Sequence, residues 1–196
     1  MKQHLVVFAK QPVMGAVKKR LAKDIGLVKA TWFYRQNLTR ILRILARDSR
    51  WQLWLALSPE NASLWPGIPA NTRIITQGHG DLGDRMDRVM QSLPPGPVAI
   101  IGSDIPGVLP RHINCVFNVL KRDDVVIGPA GDGGYWVIGM KRRPVPRGAF
   151  KNVDWSSGME MFQTLGNLTR WNRRWASELH DIDDGDDWDA WRRRLR

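Results

Sequence analysis

Short apolar runs alternate with helical or glycine-rich segments along this chain, and this order constrains its fold more than any other feature. Residues 5–9 and 97–101 have the composition of buried strands, whereas residues 28–50 lack glycine and proline and repeat leucine and isoleucine at helical spacing. Such alternation is typical of a mainly parallel sheet covered by helices. The sequence therefore predicts a three-layer α/β/α, Rossmann-like fold with a mainly parallel mixed sheet.

The remaining segments extend the same pattern. Further strands are expected at residues 52–57, 73–76, 124–127 and 135–140, and further helices at residues 18–24, 82–93 and 111–121. The segment 141–148 is expected to be an exposed, mobile loop. With 196 residues and 43% hydrophobic content, the chain can bury a substantial core, so we expect one domain over residues 1–196.

Composition limits the classes of protein that fit. The single cysteine, Cys115, excludes an internal disulfide framework, and charges or glycines interrupt every apolar run before it reaches transmembrane length. We expect a cytoplasmic protein without a membrane span. The net charge of +11 is compatible with nucleic acid, anionic membranes or small phosphorylated substrates, so charge alone identifies no partner.

Four polar or glycine-rich segments directly follow predicted strands: residues 10–20, 77–85, 102–106 and 128–135. In open α/β sheets, ligands bind in the crevice beyond the carboxyl ends of the strands. We therefore expect these segments to form the functional site.

The first segment carries cations at the start of a predicted helix. Gly15 lies in the loop, and Lys18, Lys19 and Arg20 follow it. Positive side chains are unfavourable at a helix start unless an anion lies between them, so this segment has the outline of a phosphate-binding loop. It lacks the spacing of a Walker A loop and of the dinucleotide-binding fingerprint. A solvated basic turn is the alternative.

The other segments place carboxylates beside glycines. Asp104 follows a buried strand, where a divalent cation such as Mg²⁺ or Mn²⁺ would offset the cost of burying it; alternatively it caps the turn before Pro106. Asp132 lies in a glycine turn, where the backbone could approach a ligand and the carboxylate could contact a hydroxyl group or act as a base. A plain hairpin would use the same glycines. Asp81 is expected to cap the helix that follows it.

Four motifs occur in order along the chain. They are Phe8-Ala-Lys-Gln-Pro-x-x-Gly-x-x-Lys-x-Arg-Leu21, Gln77-Gly-x-Gly-Asp-Leu-Gly-x-Arg-Met86, Ile101-Gly-Ser-Asp-x-Pro-Gly107 and Gly128-Pro-Ala-x-Asp-Gly-Gly-Tyr135. Together they resemble the DUF2064 family of GT-A-fold glycosyltransferase-like proteins, which is related to the nucleotide-diphospho-sugar transferases and to small nucleotidylyltransferases. Trp155-Ser and Leu179-x-Asp-x-Asp183 fit the same pattern.

The resemblance implies a role for each motif. It implies that the nucleotide is bound by residues of the first two motifs, namely Ala9, Lys10, Gly15, Lys18, Arg20, Gln77, Gly80 and Asp81. It implies a divalent ion at Asp104. The sugar or acceptor is expected near the fourth motif, at Asp132, Gly133, Gly134, Tyr135 and Trp155.

The chain departs from the family pattern at two points. The family usually has threonine where this chain has Lys19, and many GT-A enzymes carry an Asp-x-Asp metal motif where this chain has Asp104 alone. A second metal ligand would have to come from elsewhere, such as Asp132 or Asp183. The acidic run 181–189 does not fit an EF-hand frame and is expected to cap the C-terminal helix.

These observations favour glycosyl transfer from a nucleotide-diphospho-sugar to an unknown acceptor, with Asp104 at the metal and Asp132 as the candidate base. Nucleotidylyl transfer from a nucleoside triphosphate to a phosphorylated small molecule would use the same loop and ion. A basic nucleic-acid-binding protein without catalysis is a third hypothesis, although no RNA-binding pattern is visible and nucleic acid is not the expected partner.

Overall fold

The computed structural model describes residues 1–143 and 146–194. In chain order its elements are β1 (Gln3–Lys10), α1 (Lys19–Ile25), α2 (Leu27–Ala46), β2 (Trp51–Ser58), β3 (Arg73–Thr76), α3 (Leu82–Ser92), β4 (Val98–Ile101), α4 (Pro110–Val119), β5 (Val125–Pro129), β6 (Tyr135–Met140), α5 (Glu160–Asn167), β7 (Arg173–Trp175) and α6 (Gly185–Arg194).

The strands form one seven-stranded sheet in the order β3-β2-β1-β4-β6-β5-β7. Strand β6 runs antiparallel to both β4 and β5, and the other neighbouring pairs are parallel. The predicted mainly parallel mixed sheet is therefore confirmed. Because β6 is reversed, its first residues lie at the edge of the sheet where the parallel strands end.

Helices cover both faces of this sheet. Along β1, Leu5 and Val7 point to one face, where they pack with residues of α2 and α4, whereas Val6 and Phe8 point to the other face, towards α3 and α5. Successive side chains of a strand alternate between faces, so a strand buried on both sides is apolar throughout. The predicted three-layer α/β/α arrangement is confirmed.

A smaller core joins the two ends of the chain. Leu21 of α1, Phe33 of α2 and Trp188 of α6 are buried together with Ile182. The rings of Phe33 and Trp188 meet edge to face, with centroids 5.0 Å apart. This packing holds the residues just before α6 beside the loop that follows β1, and so brings the acidic run to the edge of the sheet.

Most predicted elements are confirmed, and the differences are local. Strands at 73–76 and 135–140 have the predicted bounds, whereas the predicted helix 28–50 ends at Ala46. Sequence patterns missed β7 and α5, which are short. Asp184 caps α6 as expected of the acidic run, because its carboxylate accepts from the backbone N–H of Asp187 at 3.1 Å.

The expectation of an exposed loop at 141–148 is wrong for Arg142. This side chain is half-buried, and its guanidinium donates to the carbonyl oxygens of Gly96, at 2.9 Å, and Leu93, at 3.0 Å. It thereby satisfies carbonyl groups beyond the end of α3. Pro144 and Val145 lie outside the described residues. Among the helices of residues 1–143 and 146–194, none is long and apolar enough to cross a membrane.

Candidate functional site

The four segments predicted to form the site meet at one edge of the sheet. Strands β1, β3 and β4 are parallel, so the residues that follow Lys10, Thr76 and Ile101 emerge on the same side. The turn between β5 and β6 lies at this edge too, because β6 is antiparallel. Topology therefore places Gly15, Asp81, Asp104 and Asp132 along one edge. In open α/β sheets, ligands bind beyond this edge, where the parallel strands end.

Lys18 and Asp104 form the central contact of the site. The Lys18 ammonium lies 2.9 Å from Asp104 Oδ2 and 2.6 Å from Asp183 Oδ1, and its side chain is only 4% exposed. Burial by itself would lower the pKa of Lys18, but the two carboxylates outweigh burial and raise it. Lys18 is therefore a charged, almost inaccessible cation held between two acids.

Helix α2 fixes the turn that carries Asp104. The Tyr34 hydroxyl donates to the Lys10 carbonyl oxygen at 3.0 Å and accepts from the Lys10 N–H at 2.9 Å, and it lies 3.2 Å from Ser103 Oγ. The Asn37 side-chain amide donates to the Ser103 carbonyl oxygen at 2.9 Å. Burial raises the pKa of Tyr34, so its hydroxyl stays protonated and can donate. These two side chains join the end of β1 to the end of β4.

Sequence reasoning missed both Tyr34 and Asn37. A signal was available, since Asn37 occurs within an otherwise apolar helical stripe, and a buried amide must find hydrogen-bond partners. The pattern could not identify the partner, because Ser103 lies 66 positions away along the chain.

A second group of carboxylates lies beside Asp104. Asp132, Asp181 and Asp183 each place a carboxylate oxygen within 4.8 Å of those of the other two. Asp132 is exposed and the other two are half-buried. Burial, followed by the charges of Asp183 and Asp132, raises the pKa of Asp181 to about 6. Carboxylates that repel each other at this range are stabilised by a cation, and carboxylate oxygens are the preferred ligands of Mg²⁺.

The backbone of the acidic run is tied to the sheet edge. The Ile182 N–H donates to the Asp104 carbonyl oxygen at 3.2 Å, and the Leu179 N–H donates to the Pro129 carbonyl oxygen at 3.2 Å. Ile182 itself is buried. Asp181 and Asp183 flank this anchored residue, which explains how both acids reach the neighbourhood of Asp104.

The glycine turn between β5 and β6 is built around Asp132. One Asp132 oxygen accepts from the Gly134 N–H at 2.9 Å. Gly133 has a φ of +87°, and a Cβ there would overlap the carbonyl oxygen of Gly158. Glycine is thus required at 133 for close packing against the Gly158 backbone, a reason that the sequence did not indicate. A ligand contact by this glycine stays a prediction.

The residues of the second motif organise the loop after β3. The Gln77 side chain is buried and donates to the carbonyl oxygens of Ala9, at 3.1 Å, and Ala56, at 2.9 Å. Asp81 caps α3 as predicted, in a reciprocal capping box with Asp84. Gly80, with a φ of +93°, packs against Asp84. The side chain of Gln77 therefore joins the ends of three strands, and its role in nucleotide binding stays a prediction.

The first motif contributes one more cation to the acidic run. Arg20 is 71% exposed, and its guanidinium lies 3.5 Å from Asp184 and 4.0 Å from Asp183. Gly15 has a φ of +77° with open space around it. Ala9 is buried in the core, and Lys10 is exposed.

Two cavities flank the carboxylates. One, of about 240 Å³, is lined by Asp104, Asp132, Gly134, Tyr135 and Trp155, with apolar side chains such as Phe8 behind them. The Trp155 indole N–H is buried and has no acceptor among the residues that the structure describes. Burial raises the pKa of Tyr135, which keeps its hydroxyl neutral. The other cavity, of about 910 Å³, shares Asp132 and Asp181 with the first and also contacts Arg20 and Asp183.

Comparison with known proteins identifies the family. Residues 41–157 match the family model described as "Uncharacterized protein conserved in bacteria (DUF2064)". The chain belongs to the DUF2064 family. The match includes Asp104 and Asp132, whereas Lys18, Asp181 and Asp183 of the same site lie outside it. No curated protein matches the chain.

Solved structures place this DUF2064 protein among nucleotide-diphospho-sugar transferase-like folds. A proposed nucleotide-diphospho-sugar transferase from Desulfovibrio desulfuricans G20 is 28% identical, with a TM-score of 0.93 over 100% of this chain and 89% of that chain. The 4-diphosphocytidyl-2C-methyl-D-erythritol synthase from Anaerococcus prevotii DSM 20548 is 10% identical, with a TM-score of 0.62 over 99% and 98%. A manganese complex of Rv0371c from Mycobacterium tuberculosis H37Rv is 16% identical, with a TM-score of 0.52 over 98% and 97%. The two distant likenesses concern the fold alone.

Proposed function

We propose that this DUF2064 protein transfers a glycosyl group from a nucleotide-diphospho-sugar with the help of a divalent cation. The observation that carries the proposal is the meeting of Lys18 with Asp104 and Asp183, directly beside Asp132 and Asp181. A diphosphate and its counter-ion need both parts of this arrangement, a basic loop and a group of oxygen ligands. The likeness to a proposed sugar-nucleotide transferase supports the same reaction class.

The donor set suits Mg²⁺ or Mn²⁺. Asp104 and Asp183 would hold the ion, with Asp132 or Asp181 as a further oxygen ligand, since these ions accept carboxylates together with substrate phosphates. When bound, the ion would neutralise the charge that develops on the departing diphosphate. Lys18, at the end of the loop after β1, and Arg20, in the first turn of α1, would bind the phosphate oxygens.

Asp132 is the proposed base. Its carboxylate is exposed and contacts both cavities, and one of its oxygens is occupied by the Gly134 N–H. In the proposed step, the acceptor oxygen bonds to the anomeric carbon while the bond from that carbon to the diphosphate breaks. The acceptor proton passes to Asp132, and the nucleoside diphosphate leaves. Room on both sides of the carboxylates supports a reaction between two substrates.

Nucleotidylyl transfer is the second candidate, and the fold likeness to a diphosphocytidyl-methylerythritol synthase favours it. Here a phosphorylated small molecule would attack the α-phosphate of a nucleoside triphosphate, and pyrophosphate would leave. Lys18, Arg20 and the carboxylates would serve this reaction as well, so the two candidates differ in substrate rather than in machinery.

The product released from each donor separates the candidates. The purified protein is incubated with Mn²⁺ and a panel of sugar nucleotides, with water or an added hydroxylated small molecule as acceptor, or with nucleoside triphosphates and a panel of phosphorylated small molecules. Free nucleoside diphosphate or pyrophosphate is then measured. Glycosyl transfer predicts nucleoside diphosphate from a sugar nucleotide, lost on chelation and reduced about 100-fold or more by Asp104→Asn. Pyrophosphate release instead would establish the second candidate.

A charge-matched variant controls for non-specific loss. Asp189 is exposed on α6 and makes no side-chain hydrogen bond or ion pair with the described residues, so Asp189→Asn should retain turnover. Absence of both products, together with salt-dependent DNA or RNA binding that Asp104→Asn leaves unchanged, would contradict both enzymatic candidates and support a nucleic-acid-binding role.

A further inference from the structure

Lys18 occupies the position in which a cation bound to Asp104 and Asp183 would lie. Its ammonium is 2.9 Å from one carboxylate and 2.6 Å from the other, in a side chain that is 4% exposed. These are short, charge-assisted contacts. The protein in this state therefore supplies its own counter-ion to the two acids that the proposed function assigns to the metal.

A divalent ion between Asp104 Oδ2 and Asp183 Oδ1 would need the space that the Lys18 ammonium now fills. Mg²⁺ approaches carboxylate oxygens to about 2.0–2.1 Å, so it would use the oxygen atoms that now face the ammonium. A buried ammonium next to a divalent ion would also be repelled strongly, because charges interact most where water is excluded. Entry of the ion at this position consequently requires Lys18 to leave.

Phosphate oxygens are the alternative partner available to Lys18. Arg20, in the first turn of α1, is exposed and lies close to Asp183 and Asp184. Both side chains thus contact the C-terminal acidic run, across more than 160 positions of the chain. A diphosphate would bind Lys18 and Arg20 more strongly than a shared carboxylate does. A divalent ion would in turn bind the carboxylates more strongly than the Lys18 ammonium does.

We infer that Lys18 is an internal cation that occupies the Asp104–Asp183 pair and transfers to the nucleotide phosphates when these carboxylates take up the divalent ion. The inference rests on the proposed function for the identity of the phosphate ligand, but not for the exchange of cations at the acids. Lys18 thereby acts as a positioning residue, which keeps the two acids in place before the substrate binds. The divalent ion replaces Lys18 at the two carboxylates, and the nucleotide phosphates replace the carboxylates at Lys18.

Metal binding without nucleotide tests the first half. Titration calorimetry with Mn²⁺ alone should show at least about tenfold tighter binding to Lys18→Met than to the unaltered protein, because the competing ammonium is gone. Lys23→Met is the matched control: Lys23 is exposed on α1 and forms no ion pair within the described part of the chain, so its removal should leave the Mn²⁺ affinity unchanged. Equal or weaker Mn²⁺ binding by Lys18→Met would overturn the inference.

Nucleotide binding without metal tests the second half. In the presence of EDTA, the affinity for nucleoside diphosphates should rise at least threefold in Asp183→Asn, because Lys18 is then released from one acid. An unchanged or lower affinity contradicts the transfer of Lys18 to phosphate. If no nucleoside diphosphate binds to any form of the protein, the proposed function fails, while the Mn²⁺ titration still decides whether Lys18 competes with the ion.

A footprinting measurement on the unaltered protein covers the case in which a variant fails to fold. Acetylation of lysine by a water-soluble ester is followed by mass spectrometry, with exposed Lys23 as the internal standard. Lys18 should be protected in EDTA and should become several-fold more reactive with Mn²⁺ alone. Continued protection at saturating Mn²⁺ would show that the ion binds without displacing Lys18, and would refute the inference.

Discussion

The hydroxyl oxygens of Tyr34 and Ser103 lie 3.2 Å apart and join helix α2 to the turn that carries Asp104. The same Tyr34 oxygen binds both the N–H and the carbonyl oxygen of Lys10, where β1 ends. One buried hydroxyl thus sets the distance between the basic loop and the acidic turn. Tyr34 thereby helps to set the relative position of Lys18 and Asp104 without contacting a ligand itself.

Replacing Tyr34 with Phe should therefore destabilise the protein by about 1–3 kcal/mol, because the partly buried N–H and carbonyl groups of Lys10 lose a hydrogen-bond partner. Urea unfolding followed by circular dichroism measures this change. Thr31→Val is the matched control. It removes a hydroxyl of the same helix that, among the described residues, binds the Leu27 carbonyl alone. It should change stability by less than about 0.5 kcal/mol. Equal effects of the two variants would contradict the bridging role.

Two glycines with positive φ separate conformational strain from steric overlap. Gly15→Ala should cost about 1 kcal/mol, because its φ is +77° but nothing lies within 4 Å of a Cβ. Gly133→Ala should cost about 3 kcal/mol or more, because its Cβ would also overlap the Gly158 carbonyl oxygen. Chemical denaturation of both variants gives the comparison. Similar losses of stability in the two variants would mean that residues 156–158 shift easily to make room for a Cβ at position 133.

Asp181 predicts a pH-dependent stability. Its pKa is raised to about 6 in the folded protein, from 3.8, so the folded state binds the proton more tightly than the unfolded state. The ionised Asp181 carboxylate therefore lowers the free energy of unfolding. This loss grows as pH rises from about 4 through about 6 and is complete above that range. Asp181→Asn should stabilise the protein at pH 8 by about 1 kcal/mol, since the partly exposed side chain is screened by solvent.

Urea unfolding in EDTA provides the measurement at two pH values, about pH 4.5, low in this transition, and about pH 8, above it. The stabilisation by Asp181→Asn should be much smaller at the lower pH, and saturating Mg²⁺ at pH 8 should reduce it because the ion offsets the repulsion in the unaltered protein. Asp189→Asn removes the same charge from an exposed position of α6. A stabilisation by Asp181→Asn of the same size at both pH values would be inconsistent with carboxylate repulsion as its cause.

Arg142 should prove structural although it belongs to a basic segment. Its guanidinium donates to carbonyl oxygens of Met90, Leu93, Pro94 and Gly96, and burial lowers its pKa. Arg142→Leu should lower the free energy of unfolding by about 2–4 kcal/mol, because several carbonyl groups lose a charged donor. Arg143→Leu, at the exposed neighbouring position, should have little effect. Thermal unfolding of the two variants distinguishes a structural role of the Arg142 guanidinium from a general effect of losing one positive charge.

Local patterns predicted the elements and the edge at which they meet. The apolar run of β1 and the helical spacing in α2 identified a strand and a helix because each depends on neighbours within a few positions. The cap at Asp81 was equally local. Once these elements are arranged as a parallel sheet, the segments containing Gly15, Asp104 and Asp132 must share an edge, so the site's location followed from the order of elements alone.

The partners of the site residues were not predictable in this way. Asn37 reaches Ser103 across 66 positions, and Lys18 reaches Asp183 across 165 positions. Asp181 belongs to the motif Leu179-x-Asp-x-Asp183, but no pattern indicated its raised pKa, which comes from burial and from carboxylates that only the folded chain brings near. The sequence also did not indicate that Gly133 packs against the backbone of Gly158.

The sequence by itself determined the strand and helix periodicities, the glycine and proline breaks, and therefore which polar segments leave the sheet at the edge where the parallel strands end. Only the tertiary structure decided that Lys18 lies between Asp104 and Asp183 and that the acidic run closes the site. The physical reason is one of range. The backbone fixes periodicity over a few residues. Ion pairs and carboxylate repulsion depend instead on distances in space, which the hydrophobic packing of the chain's two ends establishes.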